Sequence, residues 1–242
     1  MKLAIDIGNT SITCGLFSKN NLYKRMDISS MDLFKKFLDG LDNNKINRII
    51  ISSVVPDLTE NYQSILNNKY SCPIHLINYK NSQLSLKVTT PSTVGNDRLC
   101  NIYAAIKLYN VPLIIVDFGT ATTFDVINSN GEFIGGAIGA GIETSANHLI
   151  NNAALLSQID LQFPKNVIGI DTQENIQSGI MFGAIDQVEG MIKRIKNETT
   201  TNYDIILTGG FSKLLSSYLS IKHVLDIDLT LKGMIYIDDV NC

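Results

Sequence analysis

Long runs of one kind of residue are missing from this sequence of 242 residues. No block of five like charges occurs and the formal net charge is −3, so the basic surface of a duplex-binding protein is absent. No apolar run approaches the roughly 20 residues that a membrane-spanning helix needs. We therefore expect neither nucleic acid nor a membrane among the main partners.

Cysteine and histidine are sparse, with four and three copies. The cysteines form no C-x-x-C pair, and no histidine lies near them at the spacing of metal ligands. The histidines have unrelated sequence contexts, which gives little support to a catalytic role. We interpret all of the thiols as buried or incidental: Cys14, Cys72, Cys100 and Cys242.

The commonest nucleotide-binding motifs are missing as well. No G-x-x-x-x-G-K-[ST] occurs, and no G-x-G-x-x-G follows a predicted strand. A P-loop and a Rossmann site are therefore both unsupported, and a nucleotide must bind in another way.

The composition that remains is that of a globular protein, with 45% hydrophobic and 18% charged residues. The apolar start of the chain is interrupted at Asp6, Gly8 and Asn9 and lacks a small-residue cleavage pattern, unlike a signal sequence. We expect a cytoplasmic protein.

An internal repeat is visible at half the chain length. Residues 2–7 and 11–17 are two strand-like runs around the turn of Asp6-Ile-Gly-Asn-Thr10. The run 112–116, the segment Asp117-Phe-Gly-Thr120 and the strand 124–127 repeat this pattern 111 positions later. The repeat predicts two lobes, 1–110 and 111–242.

Each Asp-x-Gly turn has the residues of a phosphate site. Glycine lets backbone N–H groups approach phosphate oxygens, and the neighbouring hydroxyls add donors. The aspartate suits a cation that neutralises phosphate charge. The alternative is a pair of ordinary hairpins with turn-favouring residues.

A polar tetrad, Gly95-Asn-Asp-Arg98, precedes the apolar spacing of a helix over 97–108. A helix N-terminus favours anions, so an acidic substrate fits. Asp97 can accept the proton of an attacking hydroxyl, and Arg98 can bind a carboxylate or phosphate. An ordinary helix cap with an exposed ion pair is the alternative.

Two glycine-rich segments follow. Gly135–Gly141 is predicted to form a backbone loop near a ligand, with a helix from Ile142. Gly209 and Gly210, after the strand 203–207, offer bare backbone to an adenosine, or form a simple strand-to-helix turn. The remaining predictions are strands at 48–55 and 73–77 and helices at 57–67, 175–196 and 211–219.

Taken in order, the motifs resemble those of type III pantothenate kinases over nearly the whole chain. They are Asp6-Ile-Gly-Asn-Thr10, Ser52-Ser-Val-Val-Pro56, Pro91-Ser-Thr-Val-Gly-Asn-Asp-Arg98, Asp117-Phe-Gly-Thr-Ala-Thr-Thr123, Gly135-Gly136, Val167-Ile-Gly-Ile-Asp-Thr172, Gln177-Ser-Gly179 and Thr208-Gly-Gly210. The resemblance implies a duplicated ribonuclease-H-like (actin-like) α/β fold with a mixed sheet flanked by helices in each lobe. It also implies a homodimer that phosphorylates pantothenate to 4'-phosphopantothenate with ATP, the first step of coenzyme A biosynthesis.

The resemblance also implies roles for particular residues. Asp97 would accept the proton, Asp6 would help to place Mg²⁺, and Asp117 would bind an activating monovalent cation, K⁺ or NH₄⁺. Pantothenate would contact Gly95, Asn96, Asp97, Arg98 and, across the dimer, Thr172. ATP would contact Asp6, Ile7, Gly8, Asn9, Thr10, Ser11, Ile12, Thr13 and Thr120.

Two positions depart from the family pattern. Ala140-Gly141 stands where many relatives have Pro-Gly, which removes no functional group. Val88 stands where an aromatic substrate contact is expected, with Tyr79 as a substitute.

Two other functions compete with the pantothenate kinase. One is a non-catalytic family member that acts as a transcriptional accessory factor, although it would not need Asp6, Asp97, Arg98 and Asp117 together. The other is an actin-like kinase for a different small hydroxylated acceptor.

Overall fold

The computed structural model describes residues 1–152 and 159–241. The chain divides into two compact units. Residues 1–109 and the C-terminal segment from Asp228 form the first, and Asn110–Ile227 forms the second. No helix in the described part of the chain is both long and apolar enough to cross a membrane.

The elements follow one another with short connections. Up to residue 109 they are β1 (Lys2–Ile7), β2 (Ile12–Ser18), β3 (Asn21–Ile28), α1 (Met31–Asp39), β4 (Arg48–Ser53), α2 (Pro56–Lys69), β5 (Ile74–Leu76) and α3 (Asn96–Leu108). They continue with β6 (Leu113–Phe118), β7 (Ala121–Ile127), β8 (Phe133–Ala140), α4 (Ile142–Asn152), α5 (Thr172–Thr199), β9 (Asp204–Thr208), α6 (Ser212–Ser216), β10 (Val224–Leu225) and α7 (Leu229–Asp239).

The sheet of the first unit has the strand order β3-β2-β1-β4-β5. Strand β1 is antiparallel to β2 and parallel to β4. Because side chains alternate along a strand, Leu3, Ile5 and Ile7 pack on one face with residues of α1 and α2, such as Phe34 and Tyr62. The opposite face carries the even-numbered positions of β1.

That opposite face is covered by α3 and α7. Ala4 packs there with Cys100 of α3 and with Leu231, Met234 and Ile235 of α7. Asp6 belongs to this face by the same alternation, so the sheet brings it to the side on which α3 lies.

The sheet of the second unit has the same order by chain position, β8-β7-β6-β9-β10, with β6 antiparallel to β7 and parallel to β9. Ile114, Val116 and Phe118 of β6 pack against the long helix α5 through Met181 and Ile185. Two mixed five-stranded sheets with flanking helices confirm the predicted duplicated fold.

The division of the chain differs from the predicted lobes at the C-terminus. Helix α7, which the prediction placed in a lobe of 111–242, belongs to the first unit. It does so because its apolar residues, Leu231 and Ile235 among them, complete the core against α3. At Gly233 a Cβ would collide with the backbone carbonyl of Cys100, so the two helices approach at a distance that only glycine permits.

A buried carboxylate also holds α7 in place. Asp238 is fully buried; its Oδ1 accepts from Arg48 Nε and lies 2.8 Å from His75 Nδ1, and its Oδ2 accepts from Lys2 Nζ at 2.7 Å. Burial alone would raise the pKa of Asp238, but the hydrogen bonds from Lys2, Arg48 and His75 hold that pKa below its usual value. The network links α7 to β1, β4 and β5.

The tautomer of His75 follows from its second partner. Asn81 Oδ1 accepts from the backbone N–H of Asn78, and Asn81 Nδ2 donates to the carbonyl of Leu76, which determines the orientation of the amide. Nδ2 also lies 3.0 Å from His75 Nε2, which must therefore accept. His75 is then neutral with its proton on Nδ1, pointing at Asp238.

The contact at Gly233 predicts the effect of one added methyl group. Gly233→Ala should lower the free energy of unfolding by about 2 kcal/mol or more, because the Cβ meets backbone that cannot rotate away. Gly190→Ala in α5 is the matched control, since its Cβ would meet nothing within 4 Å. Helix propensity should make that variant more stable by up to about 1 kcal/mol. Urea unfolding followed by circular dichroism measures both, and an unchanged Gly233→Ala protein would contradict the packing described.

Asp238 makes stability depend on pH in a defined direction. Because its pKa is lowered in the folded protein, its contribution is complete above the ordinary aspartate pKa and is lost as the pH falls through that value and below. Asp238→Asn should cost about 3 kcal/mol at pH 7, because buried cations lose their counter-ion. The difference from the parent should shrink towards pH 3. Asp239→Asn, which removes an exposed partner of Lys2, should cost under about 1 kcal/mol. Equal losses in the two variants would show that the buried network is not what holds α7.

Candidate active site

The first predicted turn lies between β1 and β2, as the sequence indicated. Gly8 N–H donates to the carbonyl of Ser11 at 3.0 Å, and a Cβ on Gly8 would lie 3.1 Å from that same oxygen. The side chains of Asn9, Thr10 and Ser11 are exposed at the tip. The turn therefore presents backbone and short polar groups to solvent, as a phosphate site requires.

Asp6 stands at the end of β1 between two polar neighbours. It is paired in register with Thr13 of β2 and with Ser52 of β4. Ser52 Oγ donates to Asp6 Oδ1 at 2.8 Å. Asp6 is half-buried, so its carboxylate is held from one side by the sheet.

Thr13 has a hydrogen-bond partner that sequence patterns did not indicate. Its hydroxyl donates to Asp27 Oδ1 at 2.9 Å, and Arg25 holds the same oxygen at 3.1 Å. The Thr13 proton is thus used within the sheet, which leaves its hydroxyl oxygen as an acceptor.

The tetrad forms the start of α3, as predicted. Gly95 is the N-cap residue, and Asn96 Nδ2 donates to the carbonyl of Ser53 at 2.8 Å, which ties the helix to the end of β4. A Cβ on Gly95 would lie 2.5 Å from Asp97 Oδ1. Glycine at this position therefore leaves room for the Asp97 carboxylate.

Asp97 is half-buried in the first turn of α3, and its Oδ1 accepts from the backbone N–H of Arg98 at 2.7 Å. Burial raises the pKa of Asp97, while that hydrogen bond and the charge of Arg98 act in the opposite direction. A carboxylate with a raised pKa is a better proton acceptor than an ordinary one.

Asp6 and Asp97 surround one buried thiol. Burial raises the pKa of Cys100 well above its usual value, and the charges of Asp6 and Asp97 raise it further, while a hydrogen bond with Ser52 opposes the shift. Two carboxylates that act on the same thiol belong to one site. The first unit therefore brings together the Asp-x-Gly turn and the tetrad, which lie far apart in the sequence.

The second unit repeats the arrangement at the end of β6. Asp117 pairs in register with Thr123 of β7 and with Thr208 of β9. Gly209 has φ +89°, and a Cβ there would collide with Asp117 Oδ1 and the backbone of Phe118. Thr208-Gly-Gly210 thus lies directly against Asp117-Phe-Gly-Thr120, with bare backbone at the contact.

Thr120 is exposed, and its backbone is held by residues that the sequence reasoning did not single out. Its carbonyl accepts from Gly141 N–H at 3.1 Å and from Thr144 Oγ1 at 2.7 Å. A Cβ on Gly141 would collide with the carbonyls of Gly119 and Thr120. The available signal was the glycine run that ends where α4 begins.

The prediction of a loop over Gly135–Gly141 is wrong. Phe133–Ala140 is the edge strand β8, paired with β7 along its length. At Gly136 a Cβ would collide with the backbone of Phe124, so glycine serves close strand packing there. Only Gly141 reaches the Thr120 turn. Ala140, the departure from the family pattern, is the last residue of β8.

Thr172 is exposed at the start of α5, in the second unit, whereas the tetrad lies in the first. Asp171 caps the helix by accepting from Glu174 N–H at 2.8 Å. In the next turn Gln177 and Ser178 are buried, and their side chains donate to the carbonyls of Asp160 and Val167. These two residues anchor the segment before α5.

Three of the cysteines, Cys14, Cys72 and Cys100, are free and at least half-buried, and Cys242 lies outside the described residues. Within residues 1–152 and 159–241, no group of three or more His, Cys, Asp or Glu side chains is placed to hold a metal ion.

Known proteins match this chain over nearly its full length. Residues 2–194 match the type III pantothenate kinase family. Type III pantothenate kinases of Sulfurihydrogenibium sp. and Persephonella marina are each 38% identical; the first match covers 98% of this chain and 99% of the relative, and the second 97% and 96%.

Solved structures at lower identity share the fold. One is a Campylobacter jejuni protein described as a Baf-family transcriptional activator, with 21% identity and a TM-score of 0.63 over 99% of this chain and 98% of the other. Another is the activator of 2-hydroxyisocaproyl-CoA dehydratase from Clostridium difficile with bound ADPNP, with 13% identity and a TM-score of 0.58 over 99% and 95%. With the near-full-length match to the curated kinases, these comparisons show that the chain belongs to the type III pantothenate kinase family.

Proposed function

We propose that this protein transfers the γ-phosphoryl group of ATP to the primary hydroxyl of pantothenate, the first step of coenzyme A biosynthesis. Family membership supports the substrates, and one observation carries the chemistry. A carboxylate with a raised pKa, Asp97, lies beside a second carboxylate, Asp6, at the N-terminus of a helix.

On the acceptor side, Asp97 takes the proton of the attacking hydroxyl. The helix N-terminus and the guanidinium of Arg98 favour the carboxylate of pantothenate. Gly95 and Asn96 complete the pocket wall, with Asn96 held on Ser53. Phosphoryl transfer needs mainly positioning and charge stabilisation, which this rigid start of α3 supplies.

On the donor side, ATP lies along residues 6–13 and against Thr120, Gly209 and Gly210. The exposed tip of the first turn offers backbone N–H groups and hydroxyls to the phosphates. The tertiary contact between Gly209 and Asp117 supports a role for both in one nucleotide site, because it leaves bare backbone beside a carboxylate. Thr13 contributes as an acceptor or through its backbone, since its proton goes to Asp27.

The donor types at the two aspartates fit the proposed cations. Asp6 offers a carboxylate oxygen beside a phosphate turn, and Mg²⁺ is commonly held by one or two carboxylates together with substrate phosphates. Asp117 lies against the backbone of Gly209 in a site of oxygen ligands, which suits K⁺ or NH₄⁺. Bound there, the cations neutralise phosphate charge during transfer.

A homodimer in the cytoplasm completes the proposal. Thr172 of one protomer would then reach the pantothenate of the other. The segment before Thr172 supports a protein contact at this place, because Val167 is 64%, Ile168 84% and Ile170 89% exposed. Apolar groups of that size exposed together are typical of interaction surfaces.

A dimer makes a simple prediction for the purified protein. Light scattering after gel filtration should give about twice the mass of one 26.7 kDa chain. Ile168→Asp together with Ile170→Asp should shift the mass towards one chain, because a charge in an apolar interface is costly. The matched control, Val240→Asp, changes an exposed apolar residue elsewhere and should leave the mass unchanged. A parent protein with the mass of one chain would contradict the dimer.

The accessory-factor alternative gains no support. The likeness to the Baf-family protein is at 21% identity and concerns the fold alone. The acceptor alternative is separated by assay: release of ADP should require pantothenate in a panel of small hydroxylated acids and sugars. The reaction should also require a divalent cation and K⁺ or NH₄⁺. Turnover with another acceptor only, or none, would overturn the proposed function.

Asp97→Asn tests the catalytic assignment. It should lower kcat about a hundredfold or more, because the amide cannot accept the proton. In the parent, kcat/KM should fall at acid pH with an apparent pKa above the ordinary aspartate value of about 3.9, since burial raises the pKa of Asp97. The residual activity of the variant should lack this acid limb.

Asp57→Asn is the matched control for that variant, since Asp57 is an exposed carboxylate in the first turn of α2. Its rate and pH profile should match those of the parent. A parent-like rate for Asp97→Asn would remove Asp97 from the mechanism.

A further inference from the structure

Ser52 is a fully buried hydroxyl with a carboxylate as its partner. It has no exposed surface, and its place in β4 beside Asp6 of β1 is dictated by the parallel register of the two strands. Its oxygen lies 2.8 Å from Asp6 Oδ1. Since an ionised carboxylate only accepts, the Ser52 proton points at Asp6.

The Ser52 oxygen has a second neighbour on the other side, the thiol of Cys100. That thiol is fully buried and is hydrogen-bonded with Ser52. Because the Ser52 proton is already donated to Asp6, the Ser52 oxygen is the acceptor and the S–H of Cys100 is the donor. The thiol keeps its proton, since burial and the charges of Asp6 and Asp97 disfavour the thiolate.

Cys100 is itself held from behind by α7. The backbone of Gly233 lies directly against the Cys100 carbonyl, and Met234 and Ile235 pack in the same cluster. A second tie, from Asn96 Nδ2 to the Ser53 carbonyl, joins the same two elements, α3 and β4. The position of the thiol relative to the strand is therefore determined by packing on both sides.

We propose that Ser52 and Cys100 are positioning residues, forming a buried chain of hydrogen bonds from Cys100 Sγ–H through Ser52 Oγ–H to Asp6. The chain sets the orientation of the Asp6 carboxylate relative to helix α3, which carries Asp97. It rests on the proposed function only in assigning the divalent cation to Asp6. Neither residue touches substrate, and both act through that carboxylate.

The physical consequence is preorganisation of the cation site. A carboxylate held by a hydrogen bond from a neutral donor keeps one oxygen occupied and turns the other in a fixed direction. Without that bond the Asp6 side chain samples other rotamers, and cation binding must then select one of them. The effect belongs to Mg²⁺ binding and should leave the affinity for pantothenate little changed.

Ser52→Ala tests the chain against its neighbour Ser53→Ala. The Ser53 hydroxyl bonds to the backbone of Val55 and to Thr59, on the same strand and away from Asp6. Loss of a hydrogen bond to a charged group should weaken binding of Mg²⁺ with ADP about tenfold in calorimetry and raise the Mg²⁺ concentration for half-maximal rate to a similar extent. Ser53→Ala should alter both by less than about twofold, whatever its effect on stability.

Cys100 supplies a second route should Ser52→Ala fold poorly. Cys100→Ala should weaken Mg²⁺–ADP binding by about threefold, because the donor lost is a weak one. Cys100→Ser keeps a donor of similar size and should restore parent-like binding. Equal binding by the alanine and serine variants would exclude Cys100 from the chain.

A double-mutant cycle with Asp6→Asn separates positioning from a general structural effect. In the Asp6→Asn protein, Ser52→Ala should weaken Mg²⁺–ADP binding no further, because the group it orients is gone. Additive losses would overturn the proposal. The calorimetry needs no turnover, so a parent enzyme inactive on pantothenate would reject the proposed function while the cycle still decides on the chain.

Discussion

Strands β1 and β4 run parallel and in register, so Asp6 and Ser52 lie side by side where both strands end. The arrangement of polar groups in the first unit depends on this pairing. It gives Asp6 a buried hydrogen-bond donor, and it places the carbonyl of Ser53 where Asn96 can bind it. The start of α3, and with it Asp97, is thereby located against the carboxylate of a different strand. A slip of one residue would turn Ser52 to the other face of the sheet and break these connections.

The second unit uses the same pairing for a different environment. Asp117 of β6 stands beside Thr208 of β9, and the residue that follows, Gly209, leaves its backbone against the Asp117 carboxylate. Asp6 meets a hydroxyl, whereas Asp117 meets bare backbone in a left-handed conformation. Duplicated turns with unlike neighbours fit the unlike cations proposed for them. The difference arises from the partner strands, because the turns themselves are similar.

Local patterns predicted much of this architecture. The hairpin around Gly8, the helix that follows Gly95 and the strand before Gly209 are present as expected, since each combines a periodic apolar run with a turn or cap signal. The run Gly135–Gly141 was misread, because glycine favours loops locally but here permits two strands to approach closely. Helix α7 was assigned to the wrong half, since nothing in its own residues specifies which sheet it covers.

The sequence by itself determined the two Asp-x-Gly turns, the tetrad at a helix start and, through their order, the family. These features are local, and their signals are the backbone freedom of glycine, the polarity of Asp, Asn and Thr, and the spacing of apolar residues. Only the tertiary structure decided which buried partner each functional group has: Ser52 for Asp6, Asp27 for Thr13, Gly209 for Asp117 and Gly233 for the backbone of Cys100. Such partners come from strand register and helix packing, which are set by burial of the whole core and not by the residues nearby in the chain.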